Sequence, residues 1–232
     1  MAAVAAITMV AMAPQAEAQP QPIPGGYSFG LNLNIGSNPP PAGTPAWLTA
    51  NITDNLSGGV FVDLIGNLQG AYEFIESVGF NLTKKVTANN GNLPGSLWSC
   101  SSSTIGCGST KIEQQFDNLP KVNFANGAEG FDLAIKLPTS ASQNRFQGSD
   151  TARFSISGLS PDDFLATNDP GSPVTGLWTA ARVQGLGDSG TGSTTIADPP
   201  LSDAPGPLPL LGVGAALGFS RRLRQRLHHS AT

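Results

Sequence analysis

Cys100 and Cys107 are the only cysteines in the chain, and Ser-Ser-Ser-Thr-Ile-Gly separates them. Three states suit such a pair: a local disulfide, two free thiols, or a nucleophilic thiol. The nucleophile needs a base beside the sulfur. The only histidines, His228 and His229, lie near the C-terminus beyond an arginine cluster. Residues 19–200 therefore hold no Ser-His-Asp or Cys-His device and no His-based zinc site. In an exported protein the disulfide is the default. Closing so short a loop stabilises by roughly 2–3 kcal/mol in the chain-entropy account.

Carboxylates come next. Glu73, Glu76, Glu113, Asp117, Glu129 and Asp132 are the pool for a glycosidase pair, but acids this sparse read more simply as a solvated face. Calcium would draw on Asp, Asn and backbone carbonyls. No Asp-x-Asp-x-Asp-Gly loop is present, and Asp162-Asp163 is better explained as a helix start. Gly185-Leu186-Gly187 and Gly190-Thr191-Gly192 invite a phosphate-loop reading. No Lys follows them, so they read as flexible linker. No metal or cofactor is expected. Trp47, Trp98 and Trp178 offer a sugar-stacking face, Trp98 being the most exposed candidate; core or edge packing is the simpler reading. Asn51, Asn55 and Asn81 each open an Asn-x-Ser/Thr triplet, which chance explains in an Asn-rich chain. Residues 19–200 carry 14 acidic and 8 basic side chains, a net charge of −6. That balance argues against nucleic acid, which needs a basic stripe.

The elements that must position these residues read as short strands. Tyr27, Phe29, Leu31, Leu33 and Ile35 alternate with small or polar residues, the pattern of a half-buried strand. Ala46, Leu48, Ala50 and Ile52 form the next, with Trp47 on the other face. Val60–Ile65 is an apolar run of strand length, and 72–83 favours strand over helix. Residues 89–110 read as a long Gly/Ser/Asn-rich loop. Further strands are expected at 111–116, 121–125, 130–137, 151–157 and 175–185, with turns at Asn126-Gly127 and Gly148-Ser149-Asp150. Ser160-Pro161-Asp162-Asp163 predicts one short helical turn. The sum is an all-β chain, a jelly-roll-like β-sandwich.

Both ends read as address labels. Met1–Ala13 is apolar and uncharged, and Ala16-Glu17-Ala18 supplies a cleavage site between Ala18 and Gln19. Pro207–Phe219 has no charge across 13 residues, about 20 Å as a helix against a bilayer core of about 30 Å. Arg221, Arg222, Arg224 and Arg226 follow and place 221–232 in the cytoplasm.

Pro205-Gly206-Pro207, the weak span and the arginines together resemble the PEP-CTERM sorting signal of bacterial exported proteins, in its Pro-Gly-Pro variant. The resemblance implies recognition and cleavage by an exosortase, a membrane cysteine protease, with this chain as substrate. Residues 46–198 also look like a β-rich domain common among such proteins: Trp47–Ala50, Gly130–Asp132, Asp150–Phe154, Gly158–Phe164 and Ala180–Gly185 match its segments. Arg182 stands where that domain usually has His. The resemblance carries no enzymatic activity. The expected organisation is a signal peptide at 1–18, a lead-in and first strand at 19–45, the sandwich at 46–198, a linker at 199–206, a membrane helix at 207–220 and a basic tail at 221–232. The expected role is a non-catalytic, exported surface or matrix protein, held transiently in the membrane; the alternative is a carbohydrate-binding module for exopolysaccharide.

Overall fold

Alternating apolar residues make a strand with one wet face, and two such sheets bury their dry faces on each other. The computed structural model describes residues 20–36, 38–84, 97–114, 124, 128–168 and 174–198, and it has this form. One antiparallel sheet runs, in spatial order, β1 (Gln21–Ile23), β2 (Gly26–Leu31), β4 (Leu48–Asp54), β5 (Gly59–Gly66), β11 (Thr151–Ser157) and β7 (Trp98–Ser101). The other runs β3 (Leu33–Asn34), β13 (Gly192–Ala197), β12 (Thr179–Leu186), β6 (Phe74–Phe80), β9 (Leu133–Lys136) and β8 (Lys111–Gln114). A short β10 (Phe146–Gln147) also pairs with β6.

The first sheet follows its sequence closely. Leu48, Ala50 and Ile52, then Val60, Val62 and Leu64, then Ala152, Phe154 and Ile156 are buried. The residues between them are half-buried or exposed. The β4–β5 hairpin closes on Asn55, whose side-chain oxygen accepts the Ser57 and Gly59 N–H groups at 2.8 and 3.0 Å. Gly58, at φ 82°, supplies the left-handed step the turn requires.

The second sheet is covered on both faces at one end. Ala197, Ala180, Gly79 and Ala134 stand in one row across β13, β12, β6 and β9. Their small side chains leave room for Phe124, Phe131 and Leu177, which form a second apolar cluster there. A side chain on Gly79 would come within 2.5 Å of the Phe124 ring. This double cover explains why all of β6 except Glu76 is buried.

Several expectations need correction. The 89–110 stretch is not all loop, because Trp98–Ser101 pairs with β11. The lead-in holds β1, which forms a hairpin with β2. The supposed linker around 185–192 is the β12–β13 hairpin, with β13 extending to Ala197. The first strand divides at Asn32 into β2 and β3, which belong to different sheets. Trp47, placed by the alternation on the face opposite Leu48, is buried in the main core, in keeping with the packing reading and not with a sugar-stacking face. The helical turn forms at Pro161–Phe164 as a 3-10 turn with a Ser160/Asp163 capping box. Two further 3-10 turns lie at Cys107–Ser109 and Ala141–Gln143. The signal segment 1–18 with Ala18 and Gln19 and the linker 199–206 with Pro205, Gly206 and Pro207 lie outside the described residues. So do the span 207–220, the tail with its four arginines, Asp117, and all of the proposed strand 121–125 except Phe124. No helix among the described residues is long and apolar enough to cross a membrane.

Candidate functional site

Strand register brings together polar residues far apart in sequence. Gln21, Ser28, Asn51, Asp63, Arg153 and Ser101 stand opposite one another across the six strands of the first sheet. On β2, β4, β5 and β11 they lie on the outer face, since their strand neighbours Phe29, Ala50, Ile52, Val62, Leu64, Ala152 and Phe154 are buried. The middle of this row floors an open groove of about 520 Å3. Asn51, Asp63 and Arg153 lie along its base, and Ser101–Ser103 and Thr151 form one side.

Arg153 and Asp63 face each other on β11 and β5. Nε donates to Oδ1 at 2.6 Å and Nη2 to Oδ2 at 2.8 Å, a planar two-bond pair. The guanidinium also lies over the Phe61 ring, 4.7 Å from its centre. The bond to Asp63 and its charge raise the Arg153 pKa, and the opposite charges of this ion pair cancel. Exposure of the pair limits its worth to stability. Its consequence is that Arg153 and Asp63 orient each other on the groove floor.

The side of the groove is built by the cysteine loop. Cys100 and Cys107 form the disulfide, with their Cα atoms 5.6 Å apart. Inside that loop the Ser102 hydroxyl accepts the Thr104 and Ile105 N–H groups, both at 3.1 Å, and donates to the Thr151 carbonyl at 2.8 Å. Those bonds fasten the loop to the first residue of β11.

The other sequence candidates are scattered. Trp98 pairs with Ile156 and packs against the core from the sheet edge, and Trp178 is also partly buried against it. No tryptophan lines the groove. Glu73 is a buried brace whose carboxylate accepts the Ala42 and Gly70 N–H groups at 2.8 and 3.1 Å. Glu76 sits on the other sheet, where it accepts Gln184 Nε2 at 2.6 Å and pairs with Arg182 Nε at 3.0 Å. Asp132 accepts the Leu82 N–H at 3.0 Å, and Glu129 is exposed. Asp163 caps its own turn, and Asp162 accepts the Tyr27 hydroxyl at 2.8 Å. Of the three triplet asparagines, Asn51 lines the groove, Asn55 makes the hairpin turn, and Asn81 is buried and bonds the Leu177 carbonyl.

Protein-family models, curated proteins and solved structures give no match to this chain. The site is therefore read from its own chemistry. One carboxylate lines the groove, and Arg153 occupies it. The spaced carboxylate pair of glycoside hydrolysis is not assembled there. What the groove offers is hydroxyl, amide and planar ionic hydrogen-bonding groups on a sheet floor. Sequence reading missed Asp63 and Arg153. Their one signal was a lone charge inside the apolar run Val60–Ile65 and another inside the alternating Ala152–Ile156.

Proposed function

We propose that this chain is an exported, non-catalytic protein of the bacterial cell surface or extracellular matrix. In this reading residues 1–18 are removed as a signal helix. The segment 207–220 holds the protein in the membrane until an exosortase-type protease acts near Pro205-Gly206-Pro207. A jelly-roll-like winding belongs to the same reading; it is supported by the chain's crossing between sheets from β5 to β6 and again from β11 to β12. The PEP-CTERM-like order of turn, apolar run and arginines supports the route. The observation that carries the reading is the Cys100–Cys107 disulfide, since such bonds persist in oxidising compartments. The test is thiol labelling in native cells quenched with acid. The chain is expected to take up no maleimide unless first reduced. Labelling of both cysteines without reduction would place the protein in a reducing compartment and end this reading.

The groove favours a second reading, a binding module for exopolysaccharide. Nucleic acid is a poor fit to either reading, because the groove has no net charge.

A further inference from the structure

We infer that the groove on the outer face of the first sheet binds an uncharged, hydroxyl-rich glycan strand, a proposal that rests on the exopolysaccharide reading. Its volume of about 520 Å3 falls within the roughly 300–1,000 Å3 usual for small-ligand sites.

Charge selects the ligand class first. The two ionised groups at the base neutralise each other through paired bonds of 2.6 and 2.8 Å. A phosphate or uronate would have to compete with Asp63 for the same guanidinium. A neutral polyol need not, because a guanidinium has five N–H donors and Asp63 takes two. Each Asp63 oxygen also keeps a lone pair after accepting one bond. The pair thus presents donors and acceptors side by side, the pattern that adjacent sugar hydroxyls match.

The surroundings agree with that choice. Thr151 and Ser101 add hydroxyls, and Asn51 adds an amide one strand away from Asp63. Ile65, 40% exposed and paired with Thr151, gives a narrow apolar strip for the C–H face of a sugar ring. A protein partner would favour a buried aromatic or arginine anchor, and here the Phe61 face is already covered by Arg153. Phe61 and Asp63 hold the guanidinium in place, so little ordering is needed on binding. Ser102, inside the disulfide-closed loop, fastens the groove's side to β11.

The test uses the oxidised full-length chain and calorimetric titration with neutral pentasaccharides (cello-, laminari-, malto- and manno-), and with an alginate oligomer as the acidic comparison. At least one neutral pentasaccharide is expected to bind saturably. That binding should weaken at least tenfold in Arg153→Gln and in Asn51→Ala, and stay unchanged in Lys111→Ala on the opposite sheet. Asn51 forms no part of the ion pair, so its variant answers the question even if Arg153→Gln melts early. Neutral binding that survives both groove variants would keep the glycan reading and overturn this site. Binding confined to alginate would overturn the neutral-ligand assignment. No binding to any probe would overturn both the site and the glycan reading.

Discussion

Gly185→Ala is expected to destabilise the protein by at least about 3 kcal/mol. For a chain of this size that is a fall in Tm of about 6–12 °C. Two causes add. Gly185 has φ 82°, where a side chain costs roughly 1–2 kcal/mol. A Cβ there would also stand 1.9 Å from the Tyr72 carbonyl oxygen, so backbone must move. Gly185 is the bulge residue of β12, unpaired between Gln184 and Leu186 on the β13 side, so the strand is bent around this approach. Gly187→Ala is the matched control. Its φ is 76°, but nothing lies within 4 Å of the added carbon, and only the conformational cost of roughly 1–2 kcal/mol remains. Equal small losses in both variants, measured by thermal denaturation, would show that the Tyr72 contact does not constrain the bulge.

Asp198 should be the strongest pH sensor among the described residues. It is 4% exposed at the end of β13, accepting the Thr179 and Trp178 N–H groups at 2.8 and 3.0 Å. Burial pushes its pKa well above the usual carboxylate range, only partly opposed by N–H bonds from Thr179, Trp178 and its own backbone. The folded state therefore binds this proton more tightly than the unfolded chain, whose aspartate titrates near about 3.9. Its contribution to stability is full below that value and is lost as pH rises through the raised folded pKa. Denaturant unfolding in steps upward from pH 4 should show this decline, and Asp198→Asn should flatten it. Asp198→Ala would leave a buried and a part-buried N–H group without their acceptor and cost about 2–4 kcal/mol. An Asn variant with the same pH slope as the parent would assign the titration to another group.

The sequence was readable where burial is one-sided. Residues 151–157 alternate because one face meets the core and the other meets water, whereas Val60–Ile65 reads as an apolar run because Phe61 and Ile65 stand on the outer face; both are strands within a residue or two of expectation. Two other strands were harder. Trp98–Ser101 at the sheet edge is rich in Ser, and so is the interior strand Gly192–Ala197 in Ser, Thr, Gly and Ala, the residues of loops; both are held by neighbouring strands rather than by their own apolar pattern. The second cluster was hidden for a related reason. Gly79, Ala134, Ala180 and Ala197 look weak as strand residues, and their small size matters only once the register lines them up under Phe124 and Phe131. The same holds for the groove. Asp63 and Arg153 are ninety positions apart, and only the β5–β11 pairing makes them one feature. The disulfide was legible because it is local.

The central claim, that the chain is exported and trimmed at both ends, is tested most directly by intact and terminal mass spectrometry on protein from membrane and extracellular fractions of the native bacterium. The account predicts a mature chain that begins near Gln19 and ends near Pro205–Pro207, with the mass of one internal disulfide. An untrimmed chain, Met1 to Thr232, recovered from the cytoplasm with two reduced thiols would contradict it.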